Sequence, residues 1–353
     1  NANELDFPFK RYQIQKVWRG ERPQDGRFRE FTQADIDVVG LGELPFHYEV
    51  DLPLVMAEAL MSLPIPPVHV LVNNRKVVQG ICEGLGVDDV ESALRGLDKL
   101  DKIGPEGVAE ELAEAGLEQP QIEVLLRMAQ IRTEDSKHLR SQVNALGVSS
   151  ETLTQGLDEL CALLEQAGAA MPGVVLADLK IARGLDYYTG SVYESEIVGH
   201  EDLGSICSGG RYDSLAKDGK RSYPGVGLSI GVSRLVSRIL SQDMVTASRK
   251  VPTCVVIAVA DEEQRQHCNA LATILRKRGI PTDVAPSAAK FGKQIKFADK
   301  RGIPFVWFPG SEGEADTVKD IRSGEQVQAD IYSWQPSVED LHPSVVPTQD
   351  SND

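Results

Sequence analysis

Polar and apolar positions alternate through residues 13–40, and the alternation predicts a β-hairpin. Gln15, Val17, Arg19 and Glu21 fall on one face of its first strand, and Arg29, Phe31, Gln33, Asp35 and Asp37 share a face of the second. Pro23-Gln24-Asp25-Gly26 supplies the turn, with Gly26 able to take a positive φ. Phe28, Ala34, Ile36 and Val38 mostly pack the other side. A helix near Pro53 to Leu63 and a short strand, Val68 to Val72, follow. The chain then turns helical to about residue 172, broken at Gly104-Pro105-Glu106-Gly107 and at Gly147-Val148-Ser149-Ser150, where Ser149 or Ser150 suits a helix N-cap. Strands and glycine turns return from 175 to about 245 and end in a helix. From Val251 the pattern runs strand, helix, strand, helix, strand, through Cys254 to Val259, a helix ending at Leu275, Pro281 to Val284, a helix over Lys293 to Lys300, and Pro304 to Phe308. This alternation predicts a small α/β domain.

A length of 353 residues leads to an expectation of two to three domains. No apolar run approaches the ~18 residues a membrane-spanning helix needs, so no membrane partner is expected. The five cysteines, Cys82, Cys161, Cys207, Cys254 and Cys268, are scattered and form neither a zinc pattern nor a disulfide framework, which points to the reducing cytoplasm. A net charge of −16 argues against non-specific coating of nucleic acid. Against that background, residues 276–301 carry eight lysines and arginines and only two aspartates, a local basic window whose plain alternative is a solvated helix face.

The hairpin carries the most chemistry. A face of arginines, carboxylates, an amide and one aromatic is a poor core and a poor solvent face; it suits a ligand platform better than an edge hairpin with a salt-bridge ladder. Arg19 can fork onto a phosphate or carboxylate. Phe31 offers a flat surface to a purine, and Glu21 can accept from an exocyclic amine. Arg27, beside the turn, can reach a terminal phosphate, leaving Gln33 and Asp37 for a second ligand. Downstream, Arg183-Gly184-Leu185-Asp186-Tyr187-Tyr188 packs a charge, a glycine and two phenols into six residues. Ser208-Gly209-Gly210-Arg211-Tyr212-Asp213 has a double glycine that permits close backbone approach. Gly225-Val226-Gly227-Leu228-Ser229-Ile230-Gly231 is a small-residue strand running into a helix with Arg234 in its first turns. It lacks the spacing of a dinucleotide fingerprint, and no Walker lysine motif is present.

In this order the four segments resemble class II aminoacyl-tRNA synthetases. Arg19 to Asp37 resembles motif 2 and Gly225 to Leu235 motif 3. Arg183 to Tyr188 and Ser208 to Asp213 are similar to the two signatures of the histidyl-tRNA synthetase family, and the resemblance runs from residue 1 to about 335. It implies an α+β fold in which an antiparallel sheet flanked by helices carries a helical insertion and a C-terminal α/β anticodon-binding domain. The expected boundaries are 1–64 and 175–248 for the catalytic parts, 65–174 for the mostly helical insertion, 249–337 for the anticodon domain and 338–353 for a flexible tail.

The resemblance implies that L-histidine, ATP with Mg²⁺, and tRNA(His) are the partners, joined through a histidyl-adenylate in the cytoplasm. Arg19 and Arg183 match the catalytic arginines at the α-phosphate. Arg19, Glu21, Arg27, Phe31 and Arg234 match the ATP site, with Phe31 and Arg234 sandwiching adenine. Arg19, Gln33, Asp37, Arg183, Tyr187 and Tyr188 match the histidine site, with Asp37 and Tyr188 on the imidazole. Lys290, Lys293, Gln294 and Lys296 become tRNA contacts. The family also carries motif 1 and a Thr- and Glu-bearing loop for the amino group ahead of the part matched here. An N-terminally incomplete chain is therefore expected, with a homodimer in the full-length protein. Asp37 stands where many bacterial members have glutamate, and Ser233 where a glutamate often precedes the motif 3 arginine. The alternative function is a non-catalytic, synthetase-like regulator or sensor of histidine or tRNA.

Overall fold

The computed structural model describes residues 4–20, 28–182, 187–219, 221–311 and 313–348. They fall into two compact units, residues 1–242 and 243–353. The first begins with the expected hairpin, β1 (Phe9–Trp18) and β2 (Glu30–Val39), which pair antiparallel with Gln15 opposite Gln33 and Val17 opposite Phe31. Then come α1 (His47–Met61) and β3 (Val68–Asn74). A helical run follows: α2 (Arg75–Gly84), α3 (Val90–Leu97), α4 (Leu100–Glu114), α5 (Gln119–Met128), the short β4 (Arg132–Thr133), α6 (Ser136–Asn144) and α7 (Glu151–Ala170). The chain returns through β5 (Val175–Asp178), β6 (Ser191–Ile197), β7 (Cys207–Tyr212), the small ladder β8 (Lys217–Asp218) and β9 (Arg221–Ser222), β10 (Gly225–Ile230) and α8 (Val232–Ser241).

Eight strands form one sheet in the order β1-β2-β10-β7-β6-β3-β5-β4, antiparallel except for the β3–β5 pair. The strand expected within the helical insertion, Val68 to Val72, lies deep in this sheet. It is nearly all buried and pairs with β6 over seven residues, because a continuous apolar run is suited to a strand covered on both faces. Helices α1 and α7 pack over it. The α7 N-cap is Ser150, whose hydroxyl oxygen accepts from the Leu153 amide at 3.0 Å while the hydroxyl donates to the Gly80 carbonyl at 2.8 Å. Gly80 of α2 and Gly156 of α7 let these two helices meet backbone to backbone. The predicted break at Gly104 is a kink inside α4, with φ +71° at the glycine.

Helix α1 starts at His47, six residues before the proline from which the sequence pattern places it. Pro53 lacks the N–H that would close a bond to the carbonyl four residues back, at Glu49. The Tyr193 hydroxyl donates to that carbonyl instead, at 2.9 Å. The Glu49 side chain, 2% exposed, receives the Arg211 guanidinium at 2.8 Å and the Ser191 amide at 3.0 Å. One residue of α1 thus ties the helix to β6 and β7.

The second unit begins with β11 (Val245–Ala247), β12 (Val255–Ile257), α9 (Arg265–Lys277), β13 (Thr282–Val284), α10 (Phe291–Arg301) and β14 (Phe305–Phe308). Strands β13, β12 and β14 are parallel, as the strand–helix alternation predicts. Two further strands, β15 (Thr317–Asp320) and β16 (Gln326–Gln328), extend the sheet antiparallel on the β14 side. Trp307 is fully buried at its centre, and its indole N–H donates to Asp316 at 2.9 Å. The segment expected as a loose tail from residue 338 instead carries α11 (Val338–Leu341) and β17 (Val345–Pro347), which pairs with β11. The cause is Arg249, only 8% exposed, whose guanidinium donates to the carbonyls of Val251, Pro252, Asp340 and Leu341. A buried guanidinium needs acceptors, and the C-terminal residues provide two of them.

Among the described residues no helix is long and apolar enough to cross a membrane. All five cysteines are free and buried. Burial pushes the Cys82 and Cys254 thiols up to about 12 and raises the other three as well.

Two outcomes follow. Glu49→Gln removes the charge facing Arg211 and should cost about 3 kcal/mol of stability, the lower end for breaking a buried pair because Asp213 still accepts from Arg211; urea denaturation of the two proteins measures it. At pH 8 a thiol reagent should find no fast-reacting cysteine in the native protein and five after denaturation. A rapidly titrating native thiol would contradict the burial.

Candidate active site

The pleat carries Phe31, Gln33, Asp35 and Asp37 to one face of β2, the face that the hairpin pattern singles out. Over this face lies a cavity of about 440 Å³. Arg19, Phe31 and Gln33 reach it from the hairpin, Tyr187 and Tyr188 from the loop before β6, Ser208 and Gly209 from β7, and Arg234 from α8. Segments far apart in sequence converge because β10 lies between β2 and β7 in the sheet, pairing antiparallel with each.

Several of the polar groups are held. The Arg234 guanidinium donates to the carbonyls of Ser205 and Leu203 at 2.8 and 2.7 Å, which fixes its plane against the cavity wall. Ser233, next to it, accepts from the Thr32 amide at 2.9 Å and so fastens the start of α8 to β2. The Arg19 guanidinium lies 5.0 Å from the centre of the Phe31 ring, within cation–π range. The Tyr187 and Tyr188 rings lie in contact, 4.3 Å between centres and tilted by 47°. Burial pushes the Tyr188 phenol well up, with Tyr187 and the Asp37 charge adding to the effect, so it stays a neutral donor at neutral pH.

Asp37 stands beyond the end of this cavity, in the wall of a neighbouring one. Its carboxylate accepts from the Tyr212 hydroxyl at 2.8 Å and faces Arg11 at 2.7 Å. The Tyr212 phenol is raised by burial and by that carboxylate. Gly227 lies opposite Asp37 on one side and opposite Gly210 on the other. A Cβ at Gly227 would collide with Asp37 Oδ1, and one at Gly210 would sit 2.8 Å from the Tyr188 ring. The floor is bare so that the side chains above it can lie down.

Six of the residues expected in the site, Arg19, Phe31, Gln33, Tyr187, Tyr188 and Arg234, therefore share one cavity, and Asp37 adjoins it. Glu21, Arg27 and Arg183 lie outside the described residues. Three participants escaped the sequence reading. Tyr212, the bonding partner of Asp37, sits inside a motif that was recognised, whereas Asp98 and Lys102 line the cavity from the α3–α4 turn and have no local signal in the sequence.

In the second unit, Lys290, Lys293 and Lys296 are exposed along the start of α10. Gln294 corrects its expected role as a tRNA contact. It is 3% exposed, its carbonyl accepts from the Val259 amide at 3.0 Å and its amide donates to the Val259 and Ala289 carbonyls. An amide engaged at both ends inside the fold pins α10 to the chain after β12 and does not face a ligand.

Comparison with known proteins identifies the family of both regions. The family described as Histidyl-tRNA synthetase matches residues 6–235, and the Anticodon binding domain matches residues 253–334. A histidine–tRNA ligase of Micrococcus luteus is 56% identical over 354 residues, spanning 99% of this chain and 77% of that relative. One from Cutibacterium acnes is 54% identical over 357 residues, with 99% and 78% covered. The crystal structure of histidyl-tRNA synthetase from Nostoc sp. PCC 7120 superposes with a TM-score of 0.81 at 34% identity, covering 93% of this chain and 77% of that one. With sheet, cavity and both matched regions in accord, the chain belongs to the histidyl-tRNA synthetase family of class II aminoacyl-tRNA synthetases.

Proposed function

We propose that the cavity between the hairpin and the tyrosine pair is where histidine and ATP meet in a chain that attaches L-histidine to its cognate tRNA through a histidyl-adenylate. The observation that carries this reading is the convergence of Arg19, Phe31, Gln33, Tyr188 and Arg234 on one cavity from three distant stretches of sequence. Phe31 and Arg234 take the adenine by stacking and cation–π contact. Arg19, with Arg183, serves the α-phosphate and the carboxylate of the amino acid, while Glu21 and Arg27 serve the adenine amine and the γ-phosphate. Gln33 and Tyr187 hold the backbone end of histidine. Tyr188 and Asp37 face the imidazole, where a neutral phenol and a carboxylate match one ring nitrogen each.

The carboxylate of histidine attacks the α-phosphorus and pyrophosphate leaves. The terminal adenosine hydroxyl of tRNA then attacks the mixed anhydride and displaces AMP. Fixed cations stabilise charge that grows on the phosphate oxygens, and one such contact is worth about 3 kcal/mol. Mg²⁺ fits a site of this composition. When bound it would supply charge neutralisation on the phosphates, and Asp98 and Glu194, which line the cavity, would hold it. In the second unit, Lys290, Lys293 and Lys296 meet the tRNA backbone. Cytoplasmic residence and a homodimer in the full-length protein complete the reading; Tyr12, Ile14 and Trp18, exposed on the outer strand of the sheet, support a surface covered in the assembly. A purely regulatory role is not favoured, since the anticodon-binding region is matched along with the catalytic one.

Histidine-dependent ATP–pyrophosphate exchange, with other amino acids as controls, tests the reading. Exchange with histidine alone is expected, and equal exchange with another amino acid would overturn it. Phe31→Ala should raise the KM for ATP about tenfold through lost stacking while leaving the KM for histidine within about twofold. Tyr212→Phe should do the reverse. Without its hydroxyl, Asp37 keeps Arg11 but loses one hydrogen-bond donor, and the KM for histidine should rise about fivefold, as the loss of one net hydrogen bond predicts.

A further inference from the structure

We propose that Lys102, on the first turn of α4 in the helical insertion, is a contact for the phosphate chain of the bound nucleotide, so that the insertion supplies part of the activation site. The inference rests on the nucleotide site proposed above and adds a residue to it. Lys102 lines the same cavity as Arg19, Phe31 and Arg234, on the α3–α4 turn. Among the described residues, no carboxylate or carbonyl bonds its ammonium. Its neighbour Lys99 differs in this respect, being paired with Glu111 at 2.7 Å. Lys102 thus lines one open cavity with Arg19 and Arg234, and although Asp98 and Glu194 enter it too, an anion placed among the three cations gains from each of them.

Two features hold the turn where it is. Asp101, adjacent to Lys102, receives the Lys180 ammonium at 3.1 Å, and Lys180 lies three residues before Arg183, at the start of the signature segment. The kink at Gly104 then ends this first turn, so the turn follows the cavity wall while the rest of α4 runs along α5. The latch therefore joins the insertion to the strand that leads into the tyrosine loop. A nucleotide seated with its base on Phe31, its α-phosphate at Arg19 and its γ-phosphate at Arg27 still presents the middle of its phosphate chain to a cation on another wall. In the activation step, a carboxylate oxygen of histidine forms a bond to the α-phosphorus. The bond from that phosphorus to the bridging oxygen breaks, and pyrophosphate leaves with the electron pair. Lys102 would neutralise charge on that phosphate chain as the pair arrives.

Calorimetric titration with ATP, and competition with adenosine, separates a phosphate contact from a wall residue. Lys102→Ala should weaken ATP about tenfold and adenosine less than twofold. Lys102→Arg should keep ATP binding within about threefold of the parent, and Lys99→Ala, which removes a like charge from the same turn, should leave it unchanged. Asp101→Asn should loosen the latch and weaken ATP by a smaller factor, again sparing adenosine. Unchanged ATP affinity in Lys102→Ala, or equal losses for ATP and adenosine, would overturn the proposal. A parent protein that binds ATP yet exchanges no pyrophosphate with histidine would refute the activation reading while these titrations still decide on Lys102. A parent that binds no ATP would sink both.

Discussion

Glu49 is the residue on which the first unit is assembled. A carboxylate with 2% of its surface exposed is costly to bury unless it is fully paired, and here both oxygens have donors, from Arg211 and from the Ser191 amide. The backbone of the same residue is equally committed, since the carbonyl that Pro53 leaves free accepts the Tyr193 hydroxyl. A helix interrupted by proline is thereby bound to two strands through one position. Arg211 belongs to the glycine-rich segment whose neighbours line the cavity, so the anchor and the site share a strand. Removing the carboxylate would leave Arg211, within a few residues of the cavity lining, with the more exposed Asp213 as its ion-pair partner.

The cavity itself follows from sheet order. β10 lies between β2 and β7, so the hairpin and the Ser-Gly-Gly strand meet on one face although their residues are far apart in the chain. The α8 helix begins directly off β10 and delivers Arg234 to the same face, where two carbonyls fix it. Nothing in the site relies on a long loop for its orientation among the described residues, apart from the tyrosine pair before β6. Arg234 is therefore held in one orientation by the fold itself, the condition under which a cation stabilises charge without first reorganising.

Much of this was legible in the sequence, because period two in the hairpin and the strand–helix alternation after Val251 are local signals. Ser150 as an N-cap and Gly104 as a kink are local too. The failures have physical reasons. Pro53 reads as a helix start, and only a tertiary hydrogen bond lets it sit mid-helix. Gln294 lies in a basic window, yet it shares the inner face of α10 with Ala298, four residues on, while Lys293, Lys296 and Lys300 point outward. Residues 338–348 look polar and loose, and their order derives from a distant buried arginine. Lys102 is one of many helical lysines until the fold brings its turn to the cavity.

The bare floor under the tyrosines has an evolutionary consequence. At Gly227 and Gly210 the smallest possible replacement already meets a carboxylate or a ring, so neither position has a tolerated first step. Neighbouring walls, built from side chains of graded size, can drift by single methyl groups. Changing Asp37 or Tyr188 would not release it, because a Cβ at Gly227 or Gly210 would still lie 2.8 Å from a backbone oxygen, of Ile36 or of Ser191, so the floor stays fixed while the rest of the cavity varies.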